Sequence, residues 1–330
     1  MTGSAAVLVC VSGVALVAVL CLVSLAIGSR DLSLGQAWTG LVARDRTPAS
    51  IIIWQLRLPR TVLAVVVGAA LAVAGVVMQA LTRNPLAEPG LLGVNAGASL
   101  AVVVGIAGFG ATTVSGYVWF AFAGAAGAAV LGYVMAHRRA SSGPTRLLLA
   151  GVALGASLSA VTGVVTMYHA DTFSSYRFWV IGSFEGRDAT TLLWVSPFLL
   201  VGFVLAMASG RMFNALALGD EQAVALGARP ALTRAGAFVS ITLLCGAATA
   251  GVGPISFVGL VVPHAVRLLV GVDHRTALRT SLILGPVLML VADIAGRVLA
   301  RPGELEAGVV TAFVGAPVLV ALVVRKRRNG

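Results

Sequence analysis

The side chains able to do chemistry in this chain are few, and their spacing excludes more than it offers. A nucleotide-phosphate loop needs a lysine beside Ser or Thr after a glycine-rich turn. The only lysine is Lys326, in the C-terminal tail, so no P-loop exists and the chain is not expected to hydrolyse ATP itself. The histidines (His137, His169, His264 and His274) form no HExxH motif and no cluster with cysteine, and no bound metal or other cofactor is expected. Cys10, Cys21 and Cys245 lie in apolar segments without paired spacing and read as small core residues. An intramembrane serine protease would pair Ser99 or Ser157, each in a Gly-Ala-Ser triplet, with His264. In a chain with 39 glycines such triplets arise by chance, and no catalytic residue is assigned.

Charged and polar residues beside apolar runs carry more information. Asp293 and Arg297 stand four apart, on one helical face, and can neutralise each other or mark a functional site. Arg57 and Arg60 stand one turn apart at the start of an apolar run, placed either to clamp an acidic partner or to anchor a helix end at the headgroups. Gln79 lies near the far end of that run, and Asn84 and Glu88 follow in the loop NPLAEPG, where two prolines stop the helix and re-aim the chain. The stretch LGDEQAVALGA (218–228) reads as amphipathic, with Leu218, Ala223 and Leu226 on one side and Asp220, Glu221 and Gln222 elsewhere. It is either a docking helix for a cytoplasmic partner or an ordinary surface helix. The segment 169–188 is rich in aromatics, the usual composition of an interfacial belt.

The elements that must position these residues are membrane spans. Of the 330 residues, 58% are hydrophobic and 11% charged, against about a quarter charged in a soluble domain. A mean hydropathy of +0.99 points the same way. Uncharged runs of about twenty residues fall at 5–27, 59–81, 91–107, 115–136, 146–168, 189–208, 234–252, 257–270, 279–299 and 307–324. The first begins without a basic n-region and is read as a retained span. The run 235–266 is too long for one crossing and breaks at Gly253-Pro254. The expectation is an all-α membrane protein of ten transmembrane helices in a single domain, 1–330.

The net charge of +11 suggests a nucleic-acid footprint until its distribution is read. With the N-terminus inside, the inner loops and tail hold fourteen basic residues against four acids, and the outer side nine against eight. This asymmetry places both termini in the cytoplasm and excludes nucleic acid as the partner. Small residues recur at every fourth position, Ala64, Gly68 and Ala72 and then Gly124, Ala128 and Gly132, and are expected to pack helices within the chain.

In these same segments the sequence resembles the permease subunits of ABC importers for iron–siderophores, haem and cobalamin. The likeness runs through RLPR and GAALAVAGVVMQALTRNPLAEPGLLGVNAGA, then RLLLAGVALG (146–155), FWVIGSFEG (178–186) and LGDEQAVALGA. It continues through GPISFVGLVVPHAVRLLVGVDHR (253–275) and the 292–317 segment ending GVVTAFVGAP. The resemblance implies a type II importer permease fold, in which helices 2–5 and 7–10 form an inverted repeat. It implies a second permease subunit, identical or paralogous, two cytoplasmic ATPase subunits using ATP and magnesium, and an extracytoplasmic binding protein delivering a ferric siderophore. It assigns binding-protein docking to Arg57, Arg60 and Arg297, and ATPase coupling to Leu218, Gly219, Asp220, Glu221, Ala225, Leu226 and Gly227. The cytoplasmic gate maps to Asn84, Leu86, Pro144 and Thr145. Glu306, Ser256 and Pro144 depart from the usual family pattern.

The expectation is therefore ferric-siderophore import across the cytoplasmic membrane, with cobalamin or haem as the alternative cargo. An ion-coupled secondary transporter is disfavoured because Asp293, the one carboxylate within a span, sits near an outer helix end.

Overall fold

A computed structural model describes residues 3–28, 34–44, 47–137 and 144–328, and among them there is no β-strand. The chain opens with α1 (Gly3–Ala26) and the short α2 (Leu34–Ala43). Next, α3 (Pro48–Ile51), a π-helical stretch (Ile52–Arg57) and α4 (Leu58–Thr82) run on as one 35-residue helix. The sequence reading began this helix at 59. It starts earlier because Pro48 occupies the first turn and the Thr47 hydroxyl accepts the Ser50 N–H at 3.4 Å. A 3₁₀ turn (Pro89–Leu92) leads to α5 (Val94–Phe109), α6 (Val114–His137), α7 (Pro144–Tyr168) and α8 (Ala170–Val180). The second half comprises α9 (Ala189–Ala217), α10 (Asp220–Ala225), α11 (Pro230–Val252), α12 (Val258–Val270), α13 (His274–Leu299) and α14 (Ala307–Arg328).

A helix stands at each of the ten expected positions. Among the described residues, six helices are long and apolar enough to cross a membrane, and four shorter apolar ones accompany them (Cys10–Ala26, Val94–Phe109, Val258–Val270 and Ala307–Leu322).

The most enclosed of these six is the helix that contains α4: 83% of its most apolar 18-residue stretch is buried, although it is as apolar as a lipid-facing span. It packs on α13, α11, α12 and α9. Small residues make this approach possible. A Cβ added to Gly68 would lie 2.6 Å from the Gly285 carbonyl oxygen of α13, and one on Gly75 would lie 2.1 Å from that of Gly259 in α12. The Gly124 position of α6 meets Gly97 of α5 in the same way. The four-residue ladders thus serve packing inside the chain, where dispersion at close backbone contact replaces the hydrophobic driving force that lipid removes.

The aromatic segment 169–188 departs from expectation. Trp179 and Phe184 are buried, with Trp179 edge-on to Tyr117, and only Phe173 and Phe178 face outward. Folding residues 170–180 into a helix turns half of these rings into the bundle.

Candidate functional site

Three polar places hold the residues singled out from the sequence. At the N-terminal end of α4, Arg60 is held between two carboxylates. Its Nε and Nη2 donate to Asp293 at 3.0 and 2.8 Å, and its Nη1 reaches Glu304 at 2.7 Å. Asp293 also receives Arg297 Nη2 at 2.8 Å, the pair expected from their spacing. Arg297 is only 2% exposed, and its remaining donors satisfy the end of α1: Nη1 to the Ser24 and Ile27 carbonyls at 2.9 and 2.7 Å, Nη2 to the Ser24 hydroxyl at 2.7 Å. Arg57 Nη1 donates to the Leu25 and Ala26 carbonyls, both at 2.7 Å. Two arginines from distant elements therefore cap the C-terminus of one helix, where free carbonyls and the helix dipole favour cations.

These three arginines line one pocket of about 450 Å³, together with Glu304, Glu185 and Arg187. Arg187 was not singled out from the sequence. It is buried, donates to the Tyr117 hydroxyl, and stands in the FEGRD turn beside Phe184. The charged EGRD turn that follows the aromatic run was the signal available for it. Four arginines against two acids on its walls give the pocket a positive balance.

At the other end of α4, Arg83 adopts a left-handed conformation (φ 50°) as the helix stops. Its guanidinium donates to the Leu216 carbonyl at 2.6 Å and to Asp220 at 2.9 Å. Arg234 of α11 donates to both oxygens of Asp220 at 2.7 Å. The Arg234 hydrogen bond, supported by both positive charges, holds the Asp220 carboxyl below the ordinary aspartate value. α10 is thus pinned between α4 and α11. Its flanking glycines, Gly219 (φ 114°) and Gly227 (φ 80°), take backbone conformations that a side chain would strain.

The expected apolar side of this segment is not a single face. Ala223 is fully buried, whereas Leu218, Val224 and Leu226 are each about 60% exposed (62%, 59% and 65%). The helix has only six residues, so the two leucines sit in its flanking turns and point away from the bundle. Gly219 and Ala225 complete the turn, and Glu221 is exposed beside it. α9, at 29 residues or roughly 44 Å, exceeds a hydrocarbon core of about 30 Å and ends two residues before α10 begins.

The third place is a hollow of about 710 Å³ whose walls include Asn95, Ser99, Ser159, Thr162, Tyr176 and Ser256. Two loops meet beside it. The Glu88 carboxylate of NPLAEPG accepts the backbone N–H of Phe257, the left-handed residue (φ 70°) that closes GPISF and starts α12. In the same loop the Asn84 side-chain oxygen accepts the Leu86 N–H at 3.0 Å, an Asx turn that shapes NPLA, and both residues are half-buried. Pro144 and Thr145 open α7, and their side chains lie outside the described residues. Ser157 donates to the Ala153 carbonyl, as a helix serine does, and Ser99 shares a side-chain hydrogen bond with Tyr176. Among the described residues no group of three His, Cys, Asp or Glu could hold a metal ion.

The chain matches the FecCD transport family over residues 16–325. It is 44% identical to the ferric enterobactin transport system permease protein FepD of Escherichia coli over the whole of both chains. It is 37% identical to the hemin transport system permease protein HmuU of Yersinia pestis, covering 93% of this chain and 94% of that one. Its fold superposes on a metal-chelate type ABC transporter solved in an inward-facing conformation, with a TM-score of 0.83 and 29% identity over 96% of this chain and 98% of that one. A likeness to PsaBC from Streptococcus pneumoniae at 15% identity and a TM-score of 0.57 shows shared fold alone. With helices at all the positions read from the sequence and a family match across nearly its full length, this multi-pass membrane protein belongs to the FecCD transport family.

Proposed function

We propose that the chain is the permease subunit of an ATP-driven ABC importer that carries a ferric siderophore inward across the cytoplasmic membrane. One observation carries the reading beyond family membership: a single buried helix, α4, joins the two polar ends. Arg60 in its first turn sits in the arginine-lined pocket, and Arg83 at its last residue holds the exposed α10 turn. Twenty-three residues of rise separate them, about 35 Å, the depth of a bilayer. A movement imposed on one end is transmitted by a stiff rod to the other.

The ten helices would cross as read from the sequence, with both termini cytoplasmic and helices 2–5 and 7–10 related by inversion. On that orientation the arginine pocket faces outward, where an acidic side chain of a binding protein would compete with Glu304 for Arg60. Arg57 and Arg297 contribute positive potential and rigid walls, since their donors are engaged by the end of α1. Leu218, Val224 and Leu226 present an apolar knob to an ATPase subunit, with Asp220 fastening its base.

The 710 Å³ hollow, with serine, threonine, asparagine and tyrosine on its walls, would be half of a path completed by a second permease subunit. α5 and α12 have 16 and 13 residues, too few to span a bilayer alone. The irregular backbone before each is sheltered inside protein or against the hollow, the only settings in which it is tolerated at membrane depth. Weak, neutral polar walls suit a large hydrogen-bonding chelate that must leave as readily as it enters. Asn84 and Leu86 would gate its inner end with Pro144 and Thr145. Haem is the alternative cargo supported by the HmuU likeness. Uptake of iron-loaded siderophore by cells carrying or lacking this chain tests the reading, with haem uptake as the second arm.

A further inference from the structure

A fourth polar place shares Arg83 with the α10 anchor, while its other polar residues have no role assigned so far. Where α4, α12 and α13 end or begin together, a pocket of about 190 Å³ is walled by Gln79, Arg83, Pro85, Arg267 and His274, with apolar residues between them. No carboxylate lines it. Arg267, on the last turn of α12, is half-buried and pairs with no acid among the described residues. Its Nη1 donates to the Gln79 side-chain oxygen and its Nη2 reaches the Pro85 carbonyl only at 3.5 Å, the limit of a hydrogen bond. A half-buried guanidinium that spends its five donors on one neutral side chain and one distant carbonyl retains an unmet demand for an anion. Arg83 brings a second guanidinium, of which one nitrogen is engaged with Asp220 and the Leu216 carbonyl. His274 adds a ring whose Nδ1 is already placed by the Asn214 oxygen at 2.9 Å.

We propose that this pocket is an anion site for a phosphate group. Two arginines around a volume of this size match a phosphate's tetrahedral oxygens, and arginine's fork favours phosphate over halide. On the orientation proposed above, the pocket opens at the cytoplasmic end of the bundle, where inorganic phosphate and anionic phospholipid headgroups are both present. Basic pockets between helices on this side are suited to either. The occupant would share Arg83 with Asp220, so it would bear on the anchoring of α10 as well as on Arg267.

The test uses the full-length chain, purified in neutral detergent and read by thermal unfolding, so that it is independent of any transport assay. Inorganic phosphate is titrated against chloride at constant ionic strength. In a parallel arm, the chain is placed in nanodiscs of phosphatidylcholine with or without phosphatidylglycerol. Site occupancy is expected to raise the unfolding temperature by about 2 °C at ten times the dissociation constant. The rise should be lost in Arg267→Gln, retained in Arg267→Lys, and unchanged in Arg279→Gln, an exposed arginine outside the pocket. A rise with phosphate assigns the site to a free anion, and one with phosphatidylglycerol alone assigns it to a lipid headgroup. No rise in either arm, or equal loss in Arg279→Gln, overturns the proposal. Should Arg267→Gln fail to fold, Arg83→Gln must abolish the rise in its place.

Discussion

Arg60 and Asp293 lie 233 residues apart in sequence and meet through two hydrogen bonds of 2.8 and 3.0 Å that converge on Asp293 Oδ1, joining the first turn of α4 to the last two turns of α13. The carboxylate is 1% exposed and serves Arg297 as well. A doubly shared, buried carboxylate makes the α4 and α13 walls of the arginine pocket one rigid piece.

Removing that charge while keeping its shape should therefore be costly. Asp293→Asn leaves Arg60 with Glu304 alone and Arg297 with neutral partners only. A broken buried pair of this kind costs about 3–5 kcal/mol. A marked fall in unfolding temperature and in folded yield is expected, whereas Glu304→Gln, at the less buried carboxylate (14% exposed against 1%) with a single arginine partner, should lower both by less. Equal tolerance of both substitutions would show that Asp293 does not organise this end.

Glu304→Gln has a second consequence. It frees Arg60 Nη1 for an incoming carboxylate, so the binding protein that supports uptake should dock more tightly, by several fold, and with a steeper loss of affinity as salt rises. Weaker docking would place Glu304 among the contacts rather than among the competitors.

The coupling assignment rests on exposed leucines. Leu226→Asp puts a charge at the centre of the proposed ATPase contact, where a hot-spot loss of about 2 kcal/mol is roughly 30-fold in affinity. Assembly with the ATPase subunits, measured by co-purification, should fall while the folded yield of the chain stays unchanged. Intact assembly would remove this turn from the interface.

Asp220 gives that turn a pH signature. Its carboxyl titrates below the ordinary value, first because Arg234 hydrogen-bonds the ionised form, so the anchoring it provides is complete above about pH 4 and is lost as pH falls through its lowered folded value. Hydrogen exchange across residues 218–228 should match between wild type and Asp220→Asn at low pH and diverge, with wild type better protected, at neutral pH. Identical protection at neutral pH would mean that Arg83 and Arg234 do not anchor the turn.

Much of this arrangement is legible in the sequence alone. Proximity along one helix revealed the Asp293–Arg297 pair, and hydrophobic run length located the helices. The small-residue ladders forecast that Gly68 and Gly124 would lie against other backbones inside the chain. What was hidden required contacts across the fold. Nothing in the sequence links Arg60 to Asp293, or Arg57 and Arg297 to the carbonyls of α1, so Arg57 and Arg60 read as either a clamp or a helix-end anchor and Arg297 only as the partner of Asp293. The 218–228 turn misled for a local reason: helical periodicity assumes several turns, and a six-residue helix between two left-handed glycines does not sustain one face.

The central claim is that this chain moves a ferric siderophore inward and depends on its ATPase partners to do so. The most direct measurement is uptake of radioactive iron, bound to the organism's own siderophore, in cells lacking the chain and complemented with wild type or Leu226→Asp. Uptake restored by wild type, and reduced at least tenfold by Leu226→Asp at equal protein levels, is the predicted result. Uptake that is the same with and without the chain would contradict the account.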